Sequence, residues 1–393
     1  MTCSRADRSC RSIGHRARAL AVVLALAAAG CATVQEAPKE VRLVWPPPPL
    51  TTRIEFVRSV VSDEDLGRDT TFSQRLMNFL AGEKPISNRV VEPMGLAVSD
   101  DGQRLYVSDF AQRAVFVFDF GQKTFTKIGE KERLARPVGL ALDAEERLYV
   151  VEQEKKGVGV FDRKGTKVRF ITDPSLERPS GIAIDRARGR VYVADSAHTK
   201  STEHTIKIFT TSGERIGVIG RGKGEEPGQF LFPTYLAVDQ AGNLYVTDTL
   251  NARVQVFDPD GNYLKTLGQR GNAWGMFDKP KGIALDSFGN VYVADSGWSN
   301  VQIFNQKGQV LLFFGGRGPI PGMLKNPTAV AIDKNNRIYV ADYLNHRVEM
   351  YQVVNTTAAD SYLEPAGATK GGDTAGGDAE RKNQAKTGPT QKQ

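Results

Sequence analysis

Beyond position 31 the chain has no cysteine. All three, Cys3, Cys10 and Cys31, fall in the first 31 of 393 residues. The body therefore holds no disulfide, zinc–thiolate cluster, iron–sulfur centre, thiol nucleophile or C-x-x-C-H haem attachment. Histidine is scarce as well: of four, only His198, His204 and His346 lie beyond residue 30. No H-E-x-x-H run, phosphate-loop setting or Ser–His–Asp context occurs. A basic excess is also missing. The formal charge is +7, but residues 1–30 carry five arginines against one aspartate, and after them 47 basic side chains face 44 acidic ones. Nucleic-acid surfaces show a clear basic surplus, so nucleic acid is not an expected partner. The one long apolar run, residues 19–30, has 12 residues, whereas a helix needs ~20 to cross a bilayer.

That short run has its own meaning. It follows an arginine-rich flank (Arg5, Arg8, Arg11, Arg16, Arg18) and ends in small residues, Ala28-Ala29-Gly30, before Cys31. This is the build of a secretory signal. The junction resembles the lipobox of bacterial lipoproteins, with Ala28 where leucine is usual and Leu26 two residues earlier. The resemblance implies cleavage before Cys31, diacylation of that cysteine, and attachment to the membrane through the lipid. With Ala32 and Thr33 following and no aspartate beside the cysteine, it also implies the outer membrane, facing the periplasm. The expected organisation is a signal over 1–30 and a spacer over 31–52, stiffened by Trp45-Pro46-Pro47-Pro48-Pro49. A domain over 53–354 follows. Residues 355–393, almost without large apolar side chains, form an expected disordered tail.

The domain is six copies of one unit. Strand-like segments open at Pro93, Pro137, Pro179, Pro233, Pro280 and Pro327, spaced by 44, 42, 54, 47 and 47 residues, and alanine stands four places after each proline. A tyrosine follows in every copy (Tyr106, Tyr149, Tyr192, Tyr245, Tyr292, Tyr339). Three residues after it comes an acid: Asp109, Glu152, Asp195, Asp248, Asp295 or Asp342. Two more apolar runs complete the unit, separated by turn residues such as Asp260-Gly261-Asn262. Four short strands per ~45 residues, six times over, predict an all-β fold, a six-bladed β-propeller in a single monomeric ring. Crowding at the axis explains the small residues of each first strand, and proline is tolerated at a strand's first residue.

The sixth copy lacks a fourth strand. Residues 53–60, alternating at period two ahead of the first copy, are expected to supply it and close the ring. Between them and blade one, Phe72, Leu76, Phe79 and Leu80 recur at helical spacing, predicting a short helix.

Two stretches resemble NHL repeats: residues 280–286 with 289–295, and Asp342-Tyr343-Leu344-Asn345-His346-Arg347-Val348. The linker from Gly222 to Phe230 is similar to the family's inter-blade connector. The whole resembles bacterial six-bladed NHL-type lipoproteins. Glu152 replaces the common aspartate, Tyr235 stands where glycine is usual, Trp298 replaces the asparagine seen as Asn251 and Asn345, and blade three has an insertion around His198–His204.

The ring of acids invites a metal reading, but recurrence in every blade fits structural turn caps. The resemblance implies two classes of function. One is an envelope platform binding a protein, peptide or glycan. The other is an enzyme: a metal-dependent lyase or lactonase, or a quinone-dependent dehydrogenase. The scarcity of ligands favours the platform. No catalytic residue and no cofactor is expected, with calcium or another metal left open. Residues that break the repeat and carry aromatic or basic groups are the expected binding set. They are Arg113, Lys155, Lys156, Tyr235, Lys281, Trp298 and Tyr343, placed on the face that gathers the connectors.

Overall fold

The computed structural model describes residues 42–67, 88–130 and 133–361. The expected signal, Cys31 and the helix around Phe72–Leu80 lie outside them. Each copy folds into one antiparallel sheet whose strands follow chain order, and six such sheets make the ring. Blade one shows the pattern: Pro93–Val98, Arg104–Asp109, Ala114–Asp119 and Thr124–Ile128. Its second and third strands are almost wholly buried, while its fourth is exposed at alternate residues. That gradient places the core between neighbouring blades.

The first strands sit at the axis, where their backbones nearly touch. A Cβ on Gly95 would come within 2.0 Å of the Val138 carbonyl, and one on Gly181 within 2.2 Å of the Thr234 carbonyl. Glycine two places after the proline is thus demanded by the neighbouring blade, not by its own turn. Further out, the repeated tyrosines are buried wedges: Tyr149, Tyr192 and Tyr339 have no exposed surface. Each contributes roughly 1.5–3 kcal/mol by burial.

Ring closure follows the expected scheme. Ile54–Val60 pairs antiparallel with Arg347–Val353, Phe56 lying opposite Tyr351 and Val60 opposite Val348. Two boundaries differ from expectation. Val44–Trp45, inside the stretch read as spacer, adds a fifth strand to blade six. Trp45 lies 5.8 Å from Tyr351 and 6.1 Å from Phe314, ring centre to ring centre. An aromatic side chain beside an uncovered apolar seam gains more by packing there than by staying in a spacer. At the other end, residues 355–361 are not a free tail. Asp360 pairs with Arg53 at 2.9 Å and caps Thr357. Residues 362–393 lie outside the described part. Before blade one, Ser62 and Asp65 form a capping box on the 3-10 turn Asp63–Leu66, and Leu66 is buried beside Phe116 and Phe118.

Candidate functional site

Strands alternate in direction. The starts of the first strands, the loops between second and third strands and the inter-blade connectors therefore share one end of the ring, the connector face. The acids that close the second strands sit there, fully buried. Asp109 accepts the Val91 and Glu92 amides through one oxygen and the Gln112 amide through the other. Asp195 takes the amides of Glu177, Arg178 and Ala197. Asp295 takes those of Asp278, Lys279, Gly297 and Trp298. Asp248 also accepts Arg253 Nε at 2.9 Å. Each carboxylate pins an incoming connector to the loop of its own blade. The structural reading of the acids accounts for their lone pairs, and among the described residues no three His, Cys, Asp or Glu converge as metal ligands.

The axis holds a cavity of about 260 Å³ walled by aliphatic side chains such as Leu96, Leu140, Ile182, Leu236 and Ile283. Tyr235 crosses it. Blades four and one are opposite in a six-fold ring, and the Tyr235 hydroxyl donates to the Met94 carbonyl at 2.6 Å. Burial holds its phenol well above the usual range. At the far end Arg186 donates to the Leu142 carbonyl at 3.1 Å and to Asp100 at 2.8 Å, and Lys334 lies 2.7 Å from Asp100. Burial pushes the Asp100 carboxyl up, but Lys334 and Arg186 outweigh it and hold the group below its ordinary value. The channel is thus lined by aliphatic side chains together with polar backbone groups, and bolted at both ends.

The expected binding residues share the connector face but do not converge. Arg113 bridges blades one and two, donating to the Leu134 carbonyl at 3.0 Å and to Glu154 at 2.7 Å. Arg113 and Lys156 both occupy a left-handed turn position that recurs as Ala252, Ser299 and His346. Their place in the loop therefore serves the backbone. Lys155 pairs with buried Glu152 at 3.3 Å. Lys281, at the axis, reaches Asn326 at 3.4 Å, and burial lowers its ammonium pKa. Tyr343 is half-buried near Glu92; burial, then that carboxylate, raises its pKa. Trp298 combines two roles. Its indole N–H donates to the Gly271 carbonyl at 3.2 Å, the bond that Asn251 and Asn345 make to Gly224 and Gly318 in their own blades. The residue as a whole stays 43% exposed.

Sequence reading missed other exposed groups on this face: Leu250, Trp274, Ile320 and Leu344. Their signal was available, since large apolar residues replace polar ones in loops, but burial alone tells an exposed leucine from a buried one. His204, in the blade-three insertion, is buried; its Nδ1 accepts the Phe232 amide at 3.0 Å, and burial lowers its pKa.

Two family models match the chain. The SMP-30/gluconolactonase/LRE-like region covers residues 75–194, and the NHL repeat covers 230–257 and 324–349, in blades four and six. The chain is an NHL-repeat β-propeller. This propeller is 26% identical over 150 residues to the Drosophila melanogaster protein Brain tumor, covering 37% of this chain and 14% of that protein. It is 29% identical over 166 residues to NHL repeat-containing protein 2 of Gallus gallus, covering 35% and 23%. The match thus spans less than a quarter of either relative. Among solved structures, the Xanthomonas campestris gluconolactonase aligns over 79% of this chain and all of its own, with 16% identity and a TM-score of 0.52. A streptogramin B lyase aligns over 67% and 94%, with 12% identity and a TM-score of 0.51. At such identities the likeness is one of fold. Among the described residues no helix is long and apolar enough to cross a membrane.

Proposed function

We propose that this NHL propeller is an exported binding platform of the bacterial cell envelope, tethered by a lipid on Cys31. Its connector face receives a protein, peptide or glycan. One observation carries the reading: the axis is closed by Tyr235 and walled by aliphatic groups, while exposed Leu250, Trp274, Trp298, Ile320 and Leu344 mark blades four to six on one face. Exposed aromatic and aliphatic groups gathered on one face are what recognition surfaces use.

A second reading, a lactonase or lyase, is favoured by the gluconolactonase-type family match. The residues present do not fit the metal such an enzyme would hold. The strand-end acids are committed to backbone amides, and the channel offers no converging ligands among the described residues. Stoichiometric metal in the purified protein would reverse this preference.

The anchoring part has a direct test. Cys31→Ser should move the protein from the membrane fraction to the soluble exported fraction, because acyl chains hold at ~0.8 kcal/mol per buried methylene. Retention in the membrane after a salt wash would refute the lipid anchor. For the platform, a photo-crosslinker at Leu344 should capture a native partner, and one at Lys334, on the opposite end, should not. Capture only from Lys334 would overturn the assignment of the face.

A further inference from the structure

Blades four and five place the same three positions at the same spot on the connector face, with opposite contents. In blade five they carry Trp298, Phe313 and Gly316; in blade four, Asn251, Thr266 and Gln269. The sheet register confirms the equivalence, Thr266 lying opposite Gln255 as Phe313 lies opposite Gln302. Trp274 packs edge-on against Phe313, ring centres 4.9 Å apart, and fills out blade five. In blade four the place is open, a groove of about 440 Å³.

The groove is lined by Glu225, Asn251, Arg253, Thr266, Gln269 and Arg270, with Leu250 its one large apolar contributor. Two of these groups are held rigidly. Asn251 donates to the Gly224 carbonyl and Asp248, and Arg253 to Asp248, Glu226 and Gln229. The side chains of Glu225 and Gln269 are exposed and make no hydrogen bond among the described residues. Arg270 forms the wall toward blade five, bonding the Leu250 carbonyl. The next residue, Gly271, takes the Trp298 indole N–H. Trp298 has therefore spent its polar atom, and what remains exposed beside the groove is an apolar ring.

We infer that this groove, with Trp298 at its edge, is an oligosaccharide-binding site. The inference rests on the platform reading and gives its ligand class. A sugar ring is apolar on its C–H face and ringed by hydroxyls, which matches a bare indole beside a cleft of carboxylate, amide, guanidinium and hydroxyl groups. A protein partner would need more apolar surface in the cleft than Leu250 supplies.

The test uses the purified full-length chain, titrated with chitotetraose, cellotetraose, maltotetraose and tetragalacturonate while tryptophan emission is followed. Trp45 is partly buried in blade six, so a change reports on Trp274 and Trp298. At least one tetrasaccharide should bind saturably. Trp298→Asn, which restores the side chain that makes the equivalent bond in blades four and six, should keep the melting temperature and weaken binding tenfold or more, as should Gln269→Ala. Absence of saturable binding at millimolar sugar, or binding unchanged in both variants, would overturn the proposal. A crosslinker at Gln269 separates the two readings. Capture of an envelope protein without saccharide binding would refute the glycan and keep the platform; neither capture nor binding would remove both.

Discussion

Blade four and blade six carry the same repeat but are sewn differently. In blade four, built from one continuous segment, Gln255 stands in the middle of the third strand. Its Oε1 accepts the connector amide of Gly228 at 2.8 Å, and its Nε2 donates to the Gln229 carbonyl and to Asp248. In blade six the same place is Glu349. It accepts the equivalent amide, Gly322, at 3.0 Å and the Ser59 hydroxyl at 2.6 Å, and it pairs with Arg347 at 2.5 Å. Ser59 belongs to the closing strand, which arrives from the other side of the sequence. A buried carboxylate can accept from both strands at once, where an amide has only one acceptor atom. The cost is electrostatic: Asp342 and Glu349, both fully buried, share Arg347. Burial pushes Asp342 up to about 6 and Glu349 up to about 7, with Ser59 and Arg347 opposing. The seam that closes the ring is therefore also its pH-sensitive place.

Removing the seam should break the difference outright. Deletion of residues 42–60 strips blade six of its outer strands and uncovers Tyr351 and Phe314, so cooperative unfolding should be lost. Truncation after Ser361 should leave the melting curve unchanged. Equal curves for the two truncations would refute the closing role.

Blade four is probed at its own buried pair. Asp248→Ala leaves the Leu231 amide without an acceptor and takes the carboxylate from Arg253 Nε, and should cost about 3–5 kcal/mol in denaturant unfolding. A cost below 1 kcal/mol would mean that the strand-end acid is not what holds the connector.

Glu349→Gln sharpens the contrast by giving blade six the residue of blade four. The folded carboxyl keeps its proton up to about pH 7, while the unfolded one releases it near 4.5. Between those values the folded state binds more protons, so stability falls as pH rises and levels off above 7. Glu349 should make the native chain more stable at pH 5 than at pH 8, by on the order of 2 kcal/mol. The variant should keep only the slope that Asp342 supplies, visible in urea midpoints at the two pH values. An unaltered slope would sink the assignment to Glu349.

How much of this was readable beforehand depends on the range of the interaction. The strands, the turns, the sixfold count and the closing role of residues 53–60 follow from period-two patterning and turn chemistry, because each strand pairs mostly with its neighbour in sequence. The capping role of the acids was readable for the same reason: Asp109 lies within 18 residues of each amide it holds. The candidate site was only half visible. Residues that break the repeat can be counted in the sequence, but nothing there says that Arg113 is spent on Glu154 or that the Trp298 indole doubles for an asparagine.

Repetition in the sequence by itself determined that the chain is a six-bladed ring with small residues at its axis. Tertiary structure decided what that ring does with its exceptions. Tyr235 reaches a carbonyl 141 positions away, Glu349 meets a serine 290 positions away, and the groove on blade four draws on three separate segments. The first two contacts exist only once the ring has closed. Closure sets where opposite blades and distant segments meet through the summed tilt of six sheets, a quantity that no single repeat encodes.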